Sequence, residues 1–224
     1  MKIVVSVGGS VLARVMSPEK FRSYAAALKD ISKKNIVFIV TGGGKAARDY
    51  IGVARELGAD EATCDLIGIE LTRLNARLLI AALGDDAYFE PPLNYKEAKS
   101  AGLSGKIVVM GGVTPGQTTD AVSAVLAEYI GADLLINATS IDGVYTSDPK
   151  KNRDAKRFDS MTPQQLIGIV MKTEMVAGAN SPVDLLAAKI IERSSIKTIV
   201  LNGEEPENIV DAVAGNHTGT VITK

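Results

Sequence analysis

Lys2-Ile3-Val4-Val5-Ser6-Val7-Gly8-Gly9-Ser10 is the stretch whose reading decides the fold. The β-branched run Ile3–Val7 has almost no polar alternation and stops at a glycine pair, which describes a strand buried on both faces and delivered to a tight turn. Moving outward, the same pattern recurs. Ile36–Val40 runs towards Gly42-Gly43-Gly44, and Ile107–Met110 runs into Gly111-Gly112. Leu134–Asn137 and Thr198–Leu201 are further short apolar runs, and Thr220–Ile222 reads as a terminal strand. Helical stretches fill the intervals: Pro18–Lys33, Lys45–Gly58, Leu66–Leu83, Asp120–Gly131, Pro182–Ser194 and Pro206–Ala214. Strands alternating with helices predict an α/β fold, a three-layer sandwich doubly wound about a mainly parallel central sheet.

Composition removes several function classes. The 224 residues fit one large domain or two intimate ones, and 46% hydrophobic with 23% charged residues describes a globular chain. Lys and Arg number 25 against 26 Asp and Glu, so the basic excess of a nucleic-acid binder is missing. Trp is absent and aromatics make up 4%, which disfavours base-stacking platforms. The single cysteine, Cys64, allows no intrachain disulfide and points to a reducing compartment; it reads as a small buried hydrophobe. The single histidine, His217, reads as a turn residue and argues against His-rich zinc sites and His-based triads. No run approaches the ~20 apolar residues of a membrane span. The apolar start resembles a short signal peptide, but Gly8-Gly9-Ser10 interrupts it, so a cytoplasmic protein is expected.

Three glycine clusters follow three strands. In an open parallel sheet, ligands sit beyond the carboxyl ends of the strands, where glycine lets backbone N–H groups approach an anion at a helix start. Three clusters at one edge suggest an extended polyanion or two anions end to end. The usual phosphate motifs fail: a Walker A ending in Gly44-Lys45 would need glycine where Ile39 stands and Ser or Thr where Ala46 stands, and no G-x-G-x-x-G follows the first strand. Lys45 and Arg48 lie in the first turn after Gly44, where cations oppose the helix dipole; they are either surface charges or an anion site, and Arg can fork two phosphate oxygens. Thr114-Pro115-Gly116-Gln117-Thr118-Thr119-Asp120 joins Gly111-Gly112 to a helix, with Thr119 or Asp120 as a plain N-cap or the two threonine hydroxyls as a phosphate cradle. Asp65, expected just before the long helix, is an N-cap or a ribose contact. Asn137–Ser160 is a long irregular stretch, either a solvated loop or a functional one. It carries Asp142 and Asp148, carboxylates whose position beside phosphates implies magnesium. Leu66–Leu83 is apolar nearly all round, so it is a central core helix or meets another subunit; Arg73, Asn75 and Arg77 suit a partly polar interface.

Val7-Gly8-Gly9-Ser10, Gly42-Gly43-Gly44-Lys45-x-x-Arg48, Gly111-Gly112 with Pro115-Gly116-x-Thr118-Thr119-Asp120, and Asp142-Gly143-Val144-Tyr145-Thr146-x-Asp148-Pro149 together resemble the amino acid kinase family, and within it the archaeal-type uridylate (UMP) kinases. The resemblance runs from the first strand to Gly219-Thr220. It implies a single amino acid kinase domain over 1–224, with the acceptor in the N-terminal half and ATP over the C-terminal half. It implies ATP contacts at Gly9, Ser10, Gly44, Arg48, Thr139, Tyr145 and Asp148. It implies UMP contacts at Gly43, Asp65 and Val113, Thr114, Pro115, Gly116, Gln117, Thr118 and Thr119. Magnesium would accompany ATP, and the protein would be a homo-oligomer, a hexamer built from dimers. The chain departs from the family where Ser6 replaces a first-strand Lys and Ser140 replaces a Lys common in bacterial UMP kinases, leaving Lys45, Arg48 and magnesium as the cations at the reacting phosphoryl group. Two other functions share this fold: a related kinase acting on a carboxylate, and a non-enzymatic nucleotide- or oxyanion-binding protein.

Overall fold

The computed structural model describes residues 1–13, 16–149, 151–174 and 183–224. Its centre is a seven-stranded sheet in the order β3-β2-β1-β4-β6-β7-β5. The strands are β1 Lys2–Val7, β2 Ile36–Thr41, β3 Val108–Met110, β4 Leu134–Thr139, β5 Ser160–Met161, β6 Thr198–Asn202 and β7 Thr220–Ile222. All neighbours pair in parallel except β6 with β7. β1 lies between β2 and β4, in register with Val7 opposite both Thr41 and Ala138. That register puts the ends of three strands side by side.

Side chains alternate across the sheet, and each face has its own core. Val4, Phe38, Val40, Met110 and Val200 pack under α5 Tyr95–Ala101, α6 Thr119–Ile130, α7 Pro163–Glu174 and α8 Leu185–Ser194. Ile3, Val5, Val37, Ile39 and Ile136 pack under α2 Pro18–Ser32, α4 Glu61–Leu83 and α9 Glu207–Ala214. Two helices complete the set, the short α1 Gly9–Leu12 and α3 Gly44–Glu56, each starting just beyond a strand. These are the three layers read from the pattern. Burial on both faces explains why the strands lack polar alternation.

The predicted strands recur with ends shifted by one or two residues, and the start of the Pro182–Ser194 helix, at Pro182, lies outside the described residues. Four elements are additional: α1, α5, β5 and α7. α4 is longer than expected. It starts at Glu61, with Asp60 as N-cap accepting the Thr63 N–H at 2.7 Å. Asp65 is therefore inside the helix and is not its cap. α6 is capped by Thr118, whose Oγ1 accepts the Ala121 N–H, rather than by Thr119 or Asp120. No helix of the described residues is long and apolar enough to cross a membrane.

Candidate active site

The first two glycine loops touch each other. A methyl group on Gly9 would sit 2.0 Å from the Gly44 nitrogen, and one on Gly42 would sit 2.3 Å from the Gly9 nitrogen. Gly44 also has φ +69°, a left-handed conformation that side chains rarely adopt. Glycine is required here because two backbones cross at contact distance. No side chain caps α3, so its first N–H groups remain for another acceptor. Lys45 is ion-paired with Asp49 one turn on, whereas Arg48 is exposed and has no ion pair among the described residues.

The third loop is held by α4 and α5. Asp65 accepts the Gly116 N–H at 2.7 Å, closing a turn in which Gly116 has φ +79° and the Gln117 N–H reaches Thr114 O. The Tyr95 hydroxyl donates to Gln117 Oε1 at 3.0 Å, and the Thr118 hydroxyl donates to Asp184 Oδ2 at the start of α8. Val113, Pro115, Gln117 and Thr119 are half-buried, while Thr114, Gly116 and Thr118 are exposed. This loop brings Asp65 together with 113–119, as the sequence had grouped them, but the grouping rests on a backbone bond that the sequence did not reveal.

Between the loops lies Asp120. The buried Ser6 hydroxyl donates to Asp120 Oδ1 at 3.0 Å, and Asn137 also hydrogen-bonds this carboxylate. Burial first, and the negative charge of Asp184 second, push the Asp120 carboxyl up to about 6 against the downward pull of the Ser6 and Asn137 hydrogen bonds. Ser6 thus fills the departure noted in the first strand with a neutral partner for an acid.

On the far side, Thr139 ends β4 and its carbonyl accepts the Gly203 N–H at 2.8 Å. The stretch read as irregular doubles back on itself: the Phe158 N–H bonds Val144 O and the Thr146 N–H bonds Lys156 O. Thr220 Oγ1 ties it to the last strand by accepting the Val144 N–H at 2.8 Å and donating to Phe158 O. Asp142 accepts from both the Tyr145 hydroxyl at 2.8 Å and the Arg157 guanidinium at 2.9 Å, which together hold its carboxyl below its usual range despite burial. It is engaged in shaping the loop. Asp148 caps the next turn, its carbonyl accepting the Lys151 and Asn152 N–H groups. Among the described residues no cluster of three or more acidic, His or Cys side chains is arranged to hold a metal. Cys64 is buried, and His217 lies before β7 with a buried Nδ1 that makes no hydrogen bond.

Sequence reasoning missed four contributors: Thr72, Tyr95, Arg157 and Asp184. It also misplaced Asn75, which is not on an outward interface. Asn75 is 5% exposed and its Nδ2 donates to Gly42 O at 2.8 Å and to Gly43 O at 3.3 Å. The available signal was polar residues within an apolar helix, at a spacing that turns them towards the core.

The amino acid kinase family profile matches residues 1–202. The chain belongs to the amino acid kinase family. Within that family, a uridylate kinase from Methanococcoides burtonii is 60% identical over 95% of this chain and 91% of its own. The crystal structure of uridylate kinase from Archaeoglobus fulgidus covers both chains completely at 52% identity and a TM-score of 0.92. The UMP kinase from Bacillus anthracis is 25% identical, with a TM-score of 0.84 over 99% of this chain and 95% of that one. The family's fold thus extends over the whole molecule, including the last 22 residues that the profile leaves out.

Proposed function

We infer that this chain is a UMP kinase, which transfers the γ-phosphoryl group of ATP to UMP and releases UDP and ADP. What carries the reading is full-length identity of 52% with the Archaeoglobus fulgidus uridylate kinase on the same backbone. The geometry suits phosphoryl transfer. That reaction asks for donor and acceptor in line and for charge neutralised on the moving group. The crossing of Gly8-Gly9 with Gly42–Gly44 offers backbone N–H groups from two loops at one point, preorganised because neither loop has room to shift. A phosphate acceptor is already ionised near neutral pH, so no general base is needed.

Gly9, Ser10, Gly44 and Arg48 serve the ATP phosphates in this reading, and Thr139, Tyr145 and Asp148 line the adenosine side. Gly43, Asp65 and Val113–Thr119 receive UMP, with Thr118 and Thr119 near its phosphate. Lys45, committed to Asp49, contributes less charge than Arg48. Asp65 bonds the loop backbone through Oδ2, which leaves Oδ1 for a ribose hydroxyl. The N-terminal half is then the acceptor side and the C-terminal half the ATP side of one domain. Magnesium arrives as MgATP. The enzyme acts in the cytoplasm, in pyrimidine nucleotide synthesis, as a hexamer built from dimers.

A coupled assay with ATP and magnesium against UMP, CMP, AMP and N-acetylglutamate tests the reading. UMP is expected to be phosphorylated well and CMP and AMP poorly. Comparable turnover of N-acetylglutamate, or none with any acceptor, overturns it.

A further inference from the structure

α4 meets the Gly42–Gly44 loop and the Gly111–Gly112 strand end through polar groups buried in its own middle. Thr72 and Asn75 are 7% and 5% exposed. Thr72 Oγ1 accepts the Gly112 N–H at 2.6 Å and donates to Ile69 O. The buried Thr41 hydroxyl, at the end of β2, donates to Thr72 O at 2.9 Å. The fit leaves no slack, since a methyl on Gly111 would lie 2.4 Å from Thr72 Oγ1. Asn75 holds the carbonyls of Gly42 and Gly43. In a trans peptide the N–H points opposite the preceding C=O, and the chain has no cis bonds. Asn75 therefore turns the Gly43 and Gly44 N–H groups away from α4, the orientation an anion on the other side requires.

A hydroxyl and an amide are costly to bury, and the helix needs neither for its own ladder. Apart from the bond of the Thr72 hydroxyl to Ile69 O within the helix, the side-chain bonds of these two residues go to the glycine loops. We propose that Thr72 and Asn75 are positioning residues for phosphoryl transfer: they fix the Gly42–Gly44 loop and the Gly111–Gly112 strand end at one separation on a rigid helix, so that donor and acceptor phosphates meet in line. The proposal rests on the kinase reading of the site.

Thr72→Val keeps the shape and removes the acceptor for Gly112, while Thr72→Ser keeps the acceptor and loses packing. Displacing a reacting group by about an ångström costs on the order of 10²-fold. Thr72→Val is expected to lower kcat by roughly 10-fold or more with KM for ATP nearly unchanged, since part of that displacement is absorbed by neighbouring contacts. Thr72→Ser is expected to restore kcat although its melting temperature falls below that of Thr72→Val. Should Thr72→Val fail to fold, Asn75→Leu carries the same expectation. A kcat within threefold of wild type in Thr72→Val, or activity that simply follows melting temperature across the variants, overturns the proposal. So does loss of fold in both Thr72→Val and Asn75→Leu with an inactive Thr72→Ser, which would show a role in stability alone. If wild-type enzyme does not phosphorylate UMP, the substrate reading fails separately. The tie is then decided by hydrogen exchange at the Gly112 amide, expected to be faster in Thr72→Val and unchanged in Thr72→Ser.

Discussion

Asp120 is the residue whose surroundings matter most for its chemistry. Ser6 and Asn137 hold its carboxylate, Asp184 faces it from α8, and no cation among the described residues pairs with it. Its folded-state pKa of about 6 lies above the ordinary 3.8, so between those values the folded protein binds more protons than the unfolded chain. The stability that protonation supplies is complete below about 3.8 and is lost as pH rises through about 6. The cost at neutral pH is at most on the order of 3 kcal/mol, a ceiling because part of the residue still meets solvent. Asp120→Asn is expected to raise the melting temperature at pH 8 and to leave it near wild type at pH 4, flattening the pH dependence. Calorimetric scans at both pH values check this, and equal shifts at both would contradict it. Ser6 and Asp120 were each visible in the sequence as residues. Their bond was not, because 114 positions separate them and only the packing of α6 against β1 closes the distance.

At the scale of elements, α3 shows a charge set against its own helix. Arg48 stands in the second turn of a helix that no side chain caps, where the dipole disfavours cations. In the proposed kinase, an exposed arginine there serves an anion at the helix start. Arg48→Ala is expected to lower kcat/KM by about 10²-fold or more, the scale of removing one contact to a transition-state oxyanion. Thermal stability is expected to stay within about 0.5 kcal/mol, as for surface changes generally. Steady-state kinetics beside a melt measures both, and an active variant would shift the load to Lys45 and magnesium. The elements themselves divide by how strongly their patterns speak. β1, β2, β4 and β6 were legible because burial on both faces leaves mostly apolar residues. α7 was not, since Pro163-Gln164-Gln165 opens it with polar residues and Gly168 interrupts it. α5 has seven residues, too few for a helical period to stand out.

For the whole molecule, α4 carries two jobs on two faces. Cys64, Ile69, Ala76, Leu79 and Leu83 are in the core, while Leu66, Leu74 and Leu78 are 53%, 53% and 43% exposed. Tyr50 and Val53 on α3, with Leu57 just past its end, add a second exposed apolar row. Leaving such surface in water is unfavourable, at about 25 cal/mol per Å². A homo-oligomer that covers it is therefore expected. Leu74→Glu should shift the mass measured by light scattering towards the monomer while circular dichroism stays native. A wild-type protein that runs as a monomer at micromolar concentration would return these leucines to ordinary surface.

Periodicity and the placement of glycine were enough to read a mainly parallel sheet in three layers, with glycine loops along its carboxyl edge. Both signals are local: strand burial is written into runs of five or six residues, and a glycine cluster marks the turn that follows. What the loops do to one another depended on the tertiary structure. The glycines of Gly8–Ser10 and Gly42–Gly44 are required by mutual contact, and a single loop cannot display that need. Asp65 looked like a cap until Asp60 took the position and Gly116 took the carboxylate. Asn75 looked like an interruption of an apolar helix until two glycine carbonyls were found on it. In each case the side chain's partner lies tens of residues away, and hydrogen bonds at that range are set by how helices and strands pack, not by the residues beside them in the chain.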